Sequence, residues 1–370
     1  MLIPFVVLAA ALAQTAKSPR VLEVPAGFAS IQSAIDSARH GDTVLVAPGR
    51  YYENVRFKGR NVVVTSHFAR TRDLRDIEAT VIDGSRPTHP DTATVVRFVN
   101  QEDSTAVIQG FSITGGKGTV WLDAKDHHHF REGGGILCEL SSPTIRFNYI
   151  QDNEAVAAGP GVVSAGGGGI RCGYAEPTIT NNVIRRNRGR YGAGVVIFHS
   201  AAVIRNNLIA GNVGGEDYGG AGLWVVFALS RRLATVVEHN TIVANRSTDG
   251  ASLQQGPMRG VAGGVWTNGV SVVFDRNIVW GNRQSRGAQV AFTPANLQLG
   301  RNLVEDGLEG RDPALTVVVD PRFADSTGFE LLPSSPAREG PIDRLGAYSG
   351  PRASRLIPPP GASSRRPSDR

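Results

Sequence analysis

One stretch of the chain concentrates side chains that could act as acids, bases or metal ligands. It covers ten positions and contains Asp123, Asp126, His127, His128, His129, Arg131 and Glu132. Carboxylates and imidazoles are common general acids, general bases and zinc ligands. Three consecutive histidines in a loop, however, point in different directions and do not converge on one ion. We therefore interpret the stretch first as a polar surface loop, and the sequence predicts no metal and no cofactor.

A second polar group is an arginine-rich turn that contains Arg185, Arg186, Arg188 and Arg190. Guanidinium groups bind carboxylates and sulfates through paired hydrogen bonds, so the turn could hold an acidic glycan. The simpler interpretation is a solvated turn. Nucleic acid is not expected as a partner, because no aromatic residues that could stack on bases alternate with these arginines.

Other catalytic patterns are missing from the sequence. It has no Gly-x-Ser-x-Gly, no phosphate-binding loop, no Cys-x-x-Cys and no paired Asp motif. The net charge of +6 arises at the ends, since the last 20 residues carry +4 and the first 20 carry +2. Residues 21–350 are balanced, so the high isoelectric point reflects a short tail and does not indicate a polyanionic partner.

The elements that must position these side chains are visible as an internal repeat. Six segments align without gaps, each with an apolar residue, an Asn three positions later and an aliphatic residue five positions later. The Asn residues are Asn148, Asn182, Asn207, Asn240, Asn277 and Asn302. Their spacings of 34, 25, 33, 37 and 25 residues suggest a bare coil of 25 residues that sometimes carries an inserted loop.

A glycine marker precedes five of these segments, as in Gly134-Gly135-Ile136. Short β-branched strands at a constant interval predict coils with one inward face, stacked about 4.8 Å apart. Equivalent Asn side chains would then form a ladder of amide hydrogen bonds, and Gly would occupy corners with unusual backbone angles. The predicted fold is all-β: a single-stranded right-handed parallel β-helix.

The two ends of the chain have their own signatures. Ser30 is predicted to cap a helix over residues 31–38, which would cover the open edge of the first coil. Residues 1–13 are typical of a signal peptide with cleavage near Ala13, which predicts a secreted, periplasmic or cell-surface protein. Residues 21–350 form the predicted β-helix, and residues 351–370 a disordered Arg/Pro-rich tail. We expect a monomer without a transmembrane segment in the mature chain.

The two cysteines, Cys138 and Cys172, occupy equivalent slots in successive coils, two residues after Ile136 and Ile170. The slot is predicted to face inward. In an exported protein the pair could form a disulfide, although in-register neighbours on parallel strands have demanding geometry. Two buried thiols are the alternative.

Two motifs carry a resemblance to a known family. The opening Ile31-Gln32-x-Ala34-Ile35, Gly41-Asp42-Thr43-Val44 and Pro48-Gly49-x-Tyr51 resembles secreted bacterial right-handed β-helix proteins of the pectate-lyase-like superfamily. The ending Asp320-Pro321-Arg322-Phe323, Ser335-Pro336-Ala337 and Gly346-Ala347-Tyr348 resembles the closing coil of choice-of-anchor β-helix proteins of bacterial surfaces. The resemblance covers about residues 21–350 and implies the fold, while the family includes lyases, hydrolases, epimerases and non-catalytic surface proteins.

The repeat register also predicts a ligand groove. The segments between each coil and the next glycine marker should leave the stack at one corner, with long loops flanking two short ones. The floor of this notch would carry Arg188, Arg190, Tyr191, Glu216, Asp217 and Tyr218, and Asp126, His127 and His129 would reach over it. The alternative is that these loops pack on one another. Tyrosines among mixed charges suit sugar rings.

Two hypotheses of function follow. The first is a non-catalytic secreted or surface protein that binds a carbohydrate polymer or another cell-envelope component, because the repeat is strong and no catalytic set is recognisable. The second is a polysaccharide lyase or glycoside hydrolase that acts on a polymeric, acidic glycan laid along the stack.

Overall fold

The computed structural model describes residues 18–123, 127–156, 159–227, 233–249, 260–269, 271–292, 296–308, 313–326 and 328–338. The predicted signal peptide, the Arg/Pro-rich tail, Asp126 and the last motif of the resemblance, residues 346–348, lie outside these ranges. The described part is almost entirely β-structure arranged in four long sheets.

Two ten-stranded parallel sheets form two sides of the stack. Sheet A consists of Val21–Val24, Thr43–Val46, Val63–Ser66, Val107–Gln109, Thr144–Arg146, Thr178–Thr180, Val203–Arg205, Thr235–Glu238, Val272–Asp275 and Leu297–Leu299. Sheet B consists of Gly49–Tyr51, Thr80–Asp83, Ser112–Thr114, Tyr149–Gln151, Val183–Arg185, Leu208–Ala210, Thr241–Val243, Ile278–Trp280, Asn302–Val304 and Thr316–Val317.

Two eight-stranded sheets complete the coils. Sheet C consists of Val55–Arg56, Val96–Phe98, Ile136–Glu139, Ile170–Gly173, Val195–Phe198, Leu223–Val226, Val265–Asn268 and Val290–Phe292. Sheet D consists of Thr92–Ala93, Gly118–Asp123, His128–Glu132, Glu154–Ala155, Val162–Gly166, Arg188–Tyr191, Val213–Gly219 and Arg246–Ser247. A complete coil passes through sheets A, B, D and C in that order, which confirms the predicted parallel β-helix.

The first coils carry three short helices: α1 (Ile31–Ser37), α2 (Phe68–Thr71) and α3 (Arg75–Ala79). A 3-10 turn, Pro313–Leu315, lies near the other end of the stack. The predicted capping helix is α1, and it ends one residue earlier than expected. Ser30 accepts a hydrogen bond from the Ser33 amide, and the Ser33 side chain accepts one from the Ser30 amide. This capping box satisfies two amides that the first turn would otherwise leave unpaired.

The core is a set of inward-facing aliphatic columns that run the length of the stack. In sheet B, for example, Ile113, Ile150, Ile184, Ile209 and Ile242 are in direct register and completely buried. Each coil buries one such side chain on its neighbour, so no coil could bury its apolar face alone. The strands of sheet B pair in parallel without a register shift, which keeps this column continuous.

The Asn residues of the repeat lie fully buried at the turn between sheets A and B. The Oδ1 of Asn182 accepts hydrogen bonds from the backbone and side-chain amides of Asn148 at 3.1 and 3.2 Å, and Asn207 does the same for Asn182. In the first five of these turns the residue before the Asn, and not the Asn itself, takes the left-handed backbone conformation, as at Phe147 (φ 55°). The Asn therefore satisfies the backbone of a turn that its predecessor makes.

A second ladder of the same kind lies at the turn between sheets B and D. It consists of the Asn residues that lie five positions after the first five Asn of the other ladder: Asn153, Asn187, Asn212, Asn245 and Asn282. The Oε1 of Gln289 accepts from Asn282 at 3.0 Å and ends this ladder. Two polar ladders thus fix the register at both ends of sheet B.

Candidate functional site

Sheet D is formed by the segments that the sequence predicted to leave the stack at one corner. They do lie one above another: Arg188 pairs with Val213, and Val213 with Arg246. Over their described parts they pair as strands of one sheet. Two residues predicted for the floor are consequently buried, with exposed fractions of 3% for Tyr191 and 2% for Asp217.

The other predicted groove residues are dispersed over sheet D. Arg188 is exposed, whereas Arg190, Glu216 and Tyr218 are half-buried. The guanidinium of Arg190 donates to the carbonyl of Val156 at 3.1 Å and lies 3.9 Å from the Asp217 carboxylate.

The histidine cluster lies on an antiparallel hairpin that forms one side of sheet D, where Asp123 pairs with His128 and Leu122 with His129. His127 and His129 are exposed, and Asp126 lies outside the described residues. No group of three His, Cys, Asp or Glu with metal-binding geometry occurs in the described ranges.

A cavity of about 330 Å³ lies between sheet D and the outer face of sheet C. Seven aromatic side chains line it: Phe130, Tyr191, Phe198, Tyr218, Trp224, Phe227 and Trp266. The other lining residues in the described part of the chain are Asp123, Glu132, Val226 and Asn268. Two of the predicted groove residues, Tyr191 and Tyr218, belong to this cavity, and the predicted arginines and histidines do not.

The register of sheet C brings the aromatic rings together. Trp224 and Trp266 are direct partners on adjacent strands, and their ring centroids are 5.5 Å apart. The Tyr191 ring lies 5.2 Å from Trp224, and Phe198 stacks at 6.4 Å on the same indole. Such tilted and offset contacts stabilise an aromatic wall beyond the area that it buries.

Tyr191 reaches across two coils to Glu132. Its hydroxyl donates to Glu132 Oε1 at 2.5 Å. Burial, reinforced by this carboxylate, raises the pKa of Tyr191 well above its usual value, so that the phenol stays protonated as the donor. The ring crosses Gly166, where an added Cβ would lie within 2.4 Å of it. The site therefore requires a glycine at position 166.

A buried cation lies behind the Glu132 carboxylate. Arg171, with 1% of its surface exposed, has its Nε 2.9 Å from Glu132 Oε2, and its Nη1 forms an ion pair with Glu139. Its guanidinium also lies 5.4 Å from the Phe198 ring centroid. One arginine therefore faces two buried carboxyl groups next to the cavity.

The indole of Trp224 has an unused hydrogen-bond donor. Trp224 is 7% exposed, and its buried Nε1 has no acceptor among the described residues. Buried polar groups of folded proteins are normally paired, so a donor of this kind on a cavity wall is suited to a ligand acceptor.

A second cavity, of about 510 Å³, lies on the outer face of sheet B and is polar. Its lining includes an ion pair between Arg50 and Asp83, and Tyr149, whose buried hydroxyl has no hydrogen-bond partner among the described residues. Arg185 lies 5.9 Å from the Tyr149 ring centroid and donates to Gln151 at 2.8 Å. Positive and negative groups alternate here without a shared focus, so the aromatic cavity is the stronger candidate site.

The cysteines lie in the core under sheet C, in the predicted slot. Cys138 and Cys172 are register partners, completely buried, and both are free thiols. Burial and the hydrogen bond with Cys172 raise the pKa of the Cys138 thiol well above its usual value. Of the two alternatives that the sequence left open, the structure has the thiols.

The most important lining residues were missed by the sequence analysis. Trp224 and Trp266 each follow the aliphatic residue of a glycine marker, at Leu223 and Val265. Since strand residues alternate between faces, the position after an inward residue must face outward. Aligning the markers and examining that outward slot would have placed the two indoles side by side.

Comparisons with known proteins are consistent with this architecture. The family model of the right handed beta helix region matches residues 100–304. A search of curated proteins finds no match. No helix within the described ranges is long and apolar enough to cross a membrane.

Three solved structures are similar to the chain. The pectin methylesterase from Aspergillus niger shares 12% identity over 82% of this chain and 90% of its own, with a TM-score of 0.42. A variant of the PL6 family alginate lyase AlyGC shares 12% over 91% and 57%, with a TM-score of 0.33. The family 28 exopolygalacturonase from Yersinia enterocolitica shares 13% over 81% and 77%, with a TM-score of 0.20. Likenesses this distant carry no argument about activity.

Proposed function

This chain belongs to the right handed beta helix family, and from that premise we propose that it is an exported protein that binds carbohydrate in the aromatic cavity without cleaving it. The observation that carries the proposal is the lining, in which seven aromatic side chains surround two carboxylates. Sugar rings have apolar faces that pack on aromatic rings and hydroxyl edges that need hydrogen-bond partners.

The dimensions of the cavity favour a short segment of a glycan. Its volume of about 330 Å³ is at the lower end of the roughly 300–1,000 Å³ range of ligand pockets. Trp224 and Trp266 supply adjacent aromatic surfaces, and the indole N–H of Trp224 supplies a donor. A rigid wall of this kind costs little conformational entropy on binding.

The position of Glu132 supports binding without catalysis. Its Oε1 accepts a hydrogen bond from the Tyr191 hydroxyl at 2.5 Å, and its Oε2 lies 2.9 Å from the Nε of Arg171 in a buried ion pair. A general acid or base must reach the substrate proton, and a carboxylate held between a phenol and a guanidinium is poorly placed to do so.

The second candidate function is a polysaccharide lyase or hydrolase. It is favoured by the presence of two carboxylates, Asp123 and Glu132, on one cavity wall, since pairs of carboxylates perform glycoside hydrolysis. In that case incubation with a bound glycan must release shorter products, and lyase action must generate an unsaturated sugar.

The test is a glycan array followed by calorimetry on the best ligands. Trp266→Ala is expected to weaken binding about tenfold or more, because it removes one aromatic face. Trp280→Ala, which lies on sheet B and packs outside the cavity, is the matched control and is expected to bind as the parent does. Equal affinity of the parent and Trp266→Ala, with both variants shown to be folded by circular dichroism, would exclude the cavity as the site. Release of shorter products from a bound glycan would show that the protein is an enzyme and would contradict the proposal of binding without cleavage.

A further inference from the structure

The polar cavity on the outer face of sheet B contains a buried hydroxyl that has no partner. Tyr149 is 5% exposed, and its Oη forms no hydrogen bond within the described part of the chain. Its ring belongs to the same apolar cluster as Ile77 of α3. Burial raises the pKa of Tyr149 well above its usual value, so the hydroxyl keeps its proton and can donate it. A buried donor of this kind costs free energy until an acceptor reaches it.

Arg185 is a cation beside this hydroxyl. Its guanidinium carbon lies 5.9 Å from the centroid of the Tyr149 ring, and its Nε donates to Oε1 of Gln151 at 2.8 Å. The neutral amide fixes the position of the guanidinium without compensating its charge. No carboxylate among the described residues lies within ion-pair distance of Arg185, whereas the neighbouring Arg186 is paired with Asp152 at 2.7 Å.

The surroundings of Arg185 stabilise its charge poorly. Burial and the positive charge of Arg186 lower the pKa of Arg185 below its usual value. Moving a charged group out of water is costly unless an opposite charge or hydrogen-bond partners replace the lost hydration. A bound anion would supply both.

The carboxylates that line the cavity leave this charge uncompensated. Asp83 forms an ion pair with Arg50, and Asp152 is the partner of Arg186. Glu78 lines the cavity without an ion pair among the described residues, but it is exposed. Water and salt screen an exposed charge more strongly than a buried one, so Glu78 opposes an anion in the cavity only in part.

We propose that the polar cavity binds a monovalent oxyanion, a carboxylate or a sulfate ester, between the Tyr149 hydroxyl and the Arg185 guanidinium. The guanidinium offers paired N–H donors in a planar fork that matches such groups, and the phenol adds a donor from the preceding coil. A single negative charge suits the site, because Glu78 repels each further one. The cavity of about 510 Å³ also has room for the rest of an organic ligand. This site lies on another sheet than the aromatic cavity and does not depend on the function proposed above.

The test is a fluorine NMR titration of the full chain at neutral pH with three small probes. Trifluoroacetate is a planar monoanion, trifluoromethanesulfonate is a tetrahedral monoanion, and trifluoroacetamide is neutral. We expect at least one of the two anions to bind about fivefold more tightly than the amide, or more, because only the anions gain charge-assisted hydrogen bonds. The anion that binds more tightly identifies the oxyanion as a carboxylate or as a sulfate-type group.

Two variants remove one donor each, and a third is the matched control. Arg185→Gln is expected to weaken binding of the tighter anion about fivefold or more, and Tyr149→Phe, which removes only the hydroxyl, about threefold or more. Arg146 is also half-buried and donates its Nε to a glutamine, Gln109, at 2.7 Å, but it lies on sheet A and does not line the cavity. Arg146→Gln loses the same charge and is expected to bind within about twofold of the parent.

Glu78→Gln tests the sign of the electrostatic argument. It removes the exposed carboxylate that opposes the anion, so binding is expected to become about twofold tighter. The substitution changes an exposed position and does not depend on the Arg185 variant being folded. Weaker binding of the anion by this variant would contradict the proposed position of the ligand.

Three further results would overturn the proposal. The first is unchanged anion binding in both Arg185→Gln and Tyr149→Phe, with folding confirmed by circular dichroism. The second is an equal loss in Arg146→Gln, which would show that the anions respond to the overall charge of the protein. The third is equal affinity for the neutral amide. Each of these results leaves the glycan experiments on Trp266→Ala untouched, so the two proposals fail separately.

Discussion

The two faces of sheet C differ in how much the residue type varies from coil to coil. On the inner face the register column Ile136, Ile170, Val195, Leu223 and Val265 is aliphatic and fully buried. One position later, on the outer face, the column changes at nearly every coil, to Leu137, Arg171, Val196, Trp224 and Trp266. The inner side chains pack on similar side chains of the neighbouring coils, so their type is conserved from coil to coil. The outer side chains are not restricted in this way, and the residues that line the cavity occupy these variable positions.

The largest effect on stability is expected from replacing the buried arginine on the outer face of sheet C. Replacing Arg171 by Met leaves Glu132 and Glu139 without their cation, and breaking a buried ion pair in this way typically costs about 3–5 kcal/mol. We expect a loss of that size in the free energy of unfolding, measured by urea denaturation. Arg205→Met, which disrupts an exposed ion pair with Glu238, should cost about 1 kcal/mol or less. Similar losses at both sites would mean that the outer face contributes only surface charge.

The inner architecture is tested by the Asn ladder. Asn207 donates to the Ile179 carbonyl and to Asn240 Oδ1, and its own Oδ1 accepts from Asn182. Asn207→Ala is expected to lower stability by about 1–3 kcal/mol, because partners in two neighbouring coils lose buried hydrogen bonds.

Asn302 is the matched position at the end of the ladder. It accepts from Asn277, and its amide donates only to the backbone carbonyls of Phe274 and Gly300. Asn302→Ala should therefore cost less than Asn207→Ala in the same denaturation assay. Equal losses would show that each rung acts alone and that no stabilisation is transmitted along the ladder.

The smallest expected effect concerns a polar contact that is not repeated. Burial of Asp42 opposes its ionisation, but hydrogen bonds from the Arg20 side chain and from the backbone amides of Arg20 and Arg39 outweigh it and lower the pKa to about 2. The folded pKa lies below the ordinary value of 3.8, so the stabilisation is complete above about pH 4 and is lost as the pH falls toward 2.

Thermal melts between these limits, repeated with Arg20→Met, measure that contribution. The variant should lose less stability on acidification than the parent, because its Asp42 pKa lies closer to the unfolded value. Identical acid sensitivity of the two proteins would mean that Arg20 does not hold the Asp42 pKa low.

The fold was predictable because its determinants repeat. Asn148 and Asn182 occupy equivalent positions in aligned segments, which predicts that they stack in a ladder. The equivalent positions of Cys138 and Cys172 predict in the same way that the two residues are register partners. Sheet D was not predictable from such a pattern, since its strands Arg188–Tyr191 and Val213–Gly219 share no common side-chain motif. They pair because the coils on either side are already in register.

The cavity was only partly predictable. Tyr191 and Tyr218 were recognised as aromatic groups at the corner, but their burial depends on how sheet D closes over sheet C. The contact of Tyr191 with Glu132 joins residues 59 positions apart, and no local pattern encodes it. The need for a glycine at position 166 could not be predicted either, since it depends on the Tyr191 ring, which comes from a neighbouring coil.

The line from Glu132 past Gly166 to Tyr191 runs over three successive coils. The scaffold is modular, because each coil needs only a matching neighbour, yet the cavity is not. If the middle coil were duplicated or lost, the solenoid would still be well formed. Tyr191 and Glu132 would then no longer be separated by one coil, and their hydrogen bond could not form. A coil added or removed elsewhere along the stack would leave the contact between Tyr191 and Glu132 intact, whereas these three coils must stay adjacent for it to form.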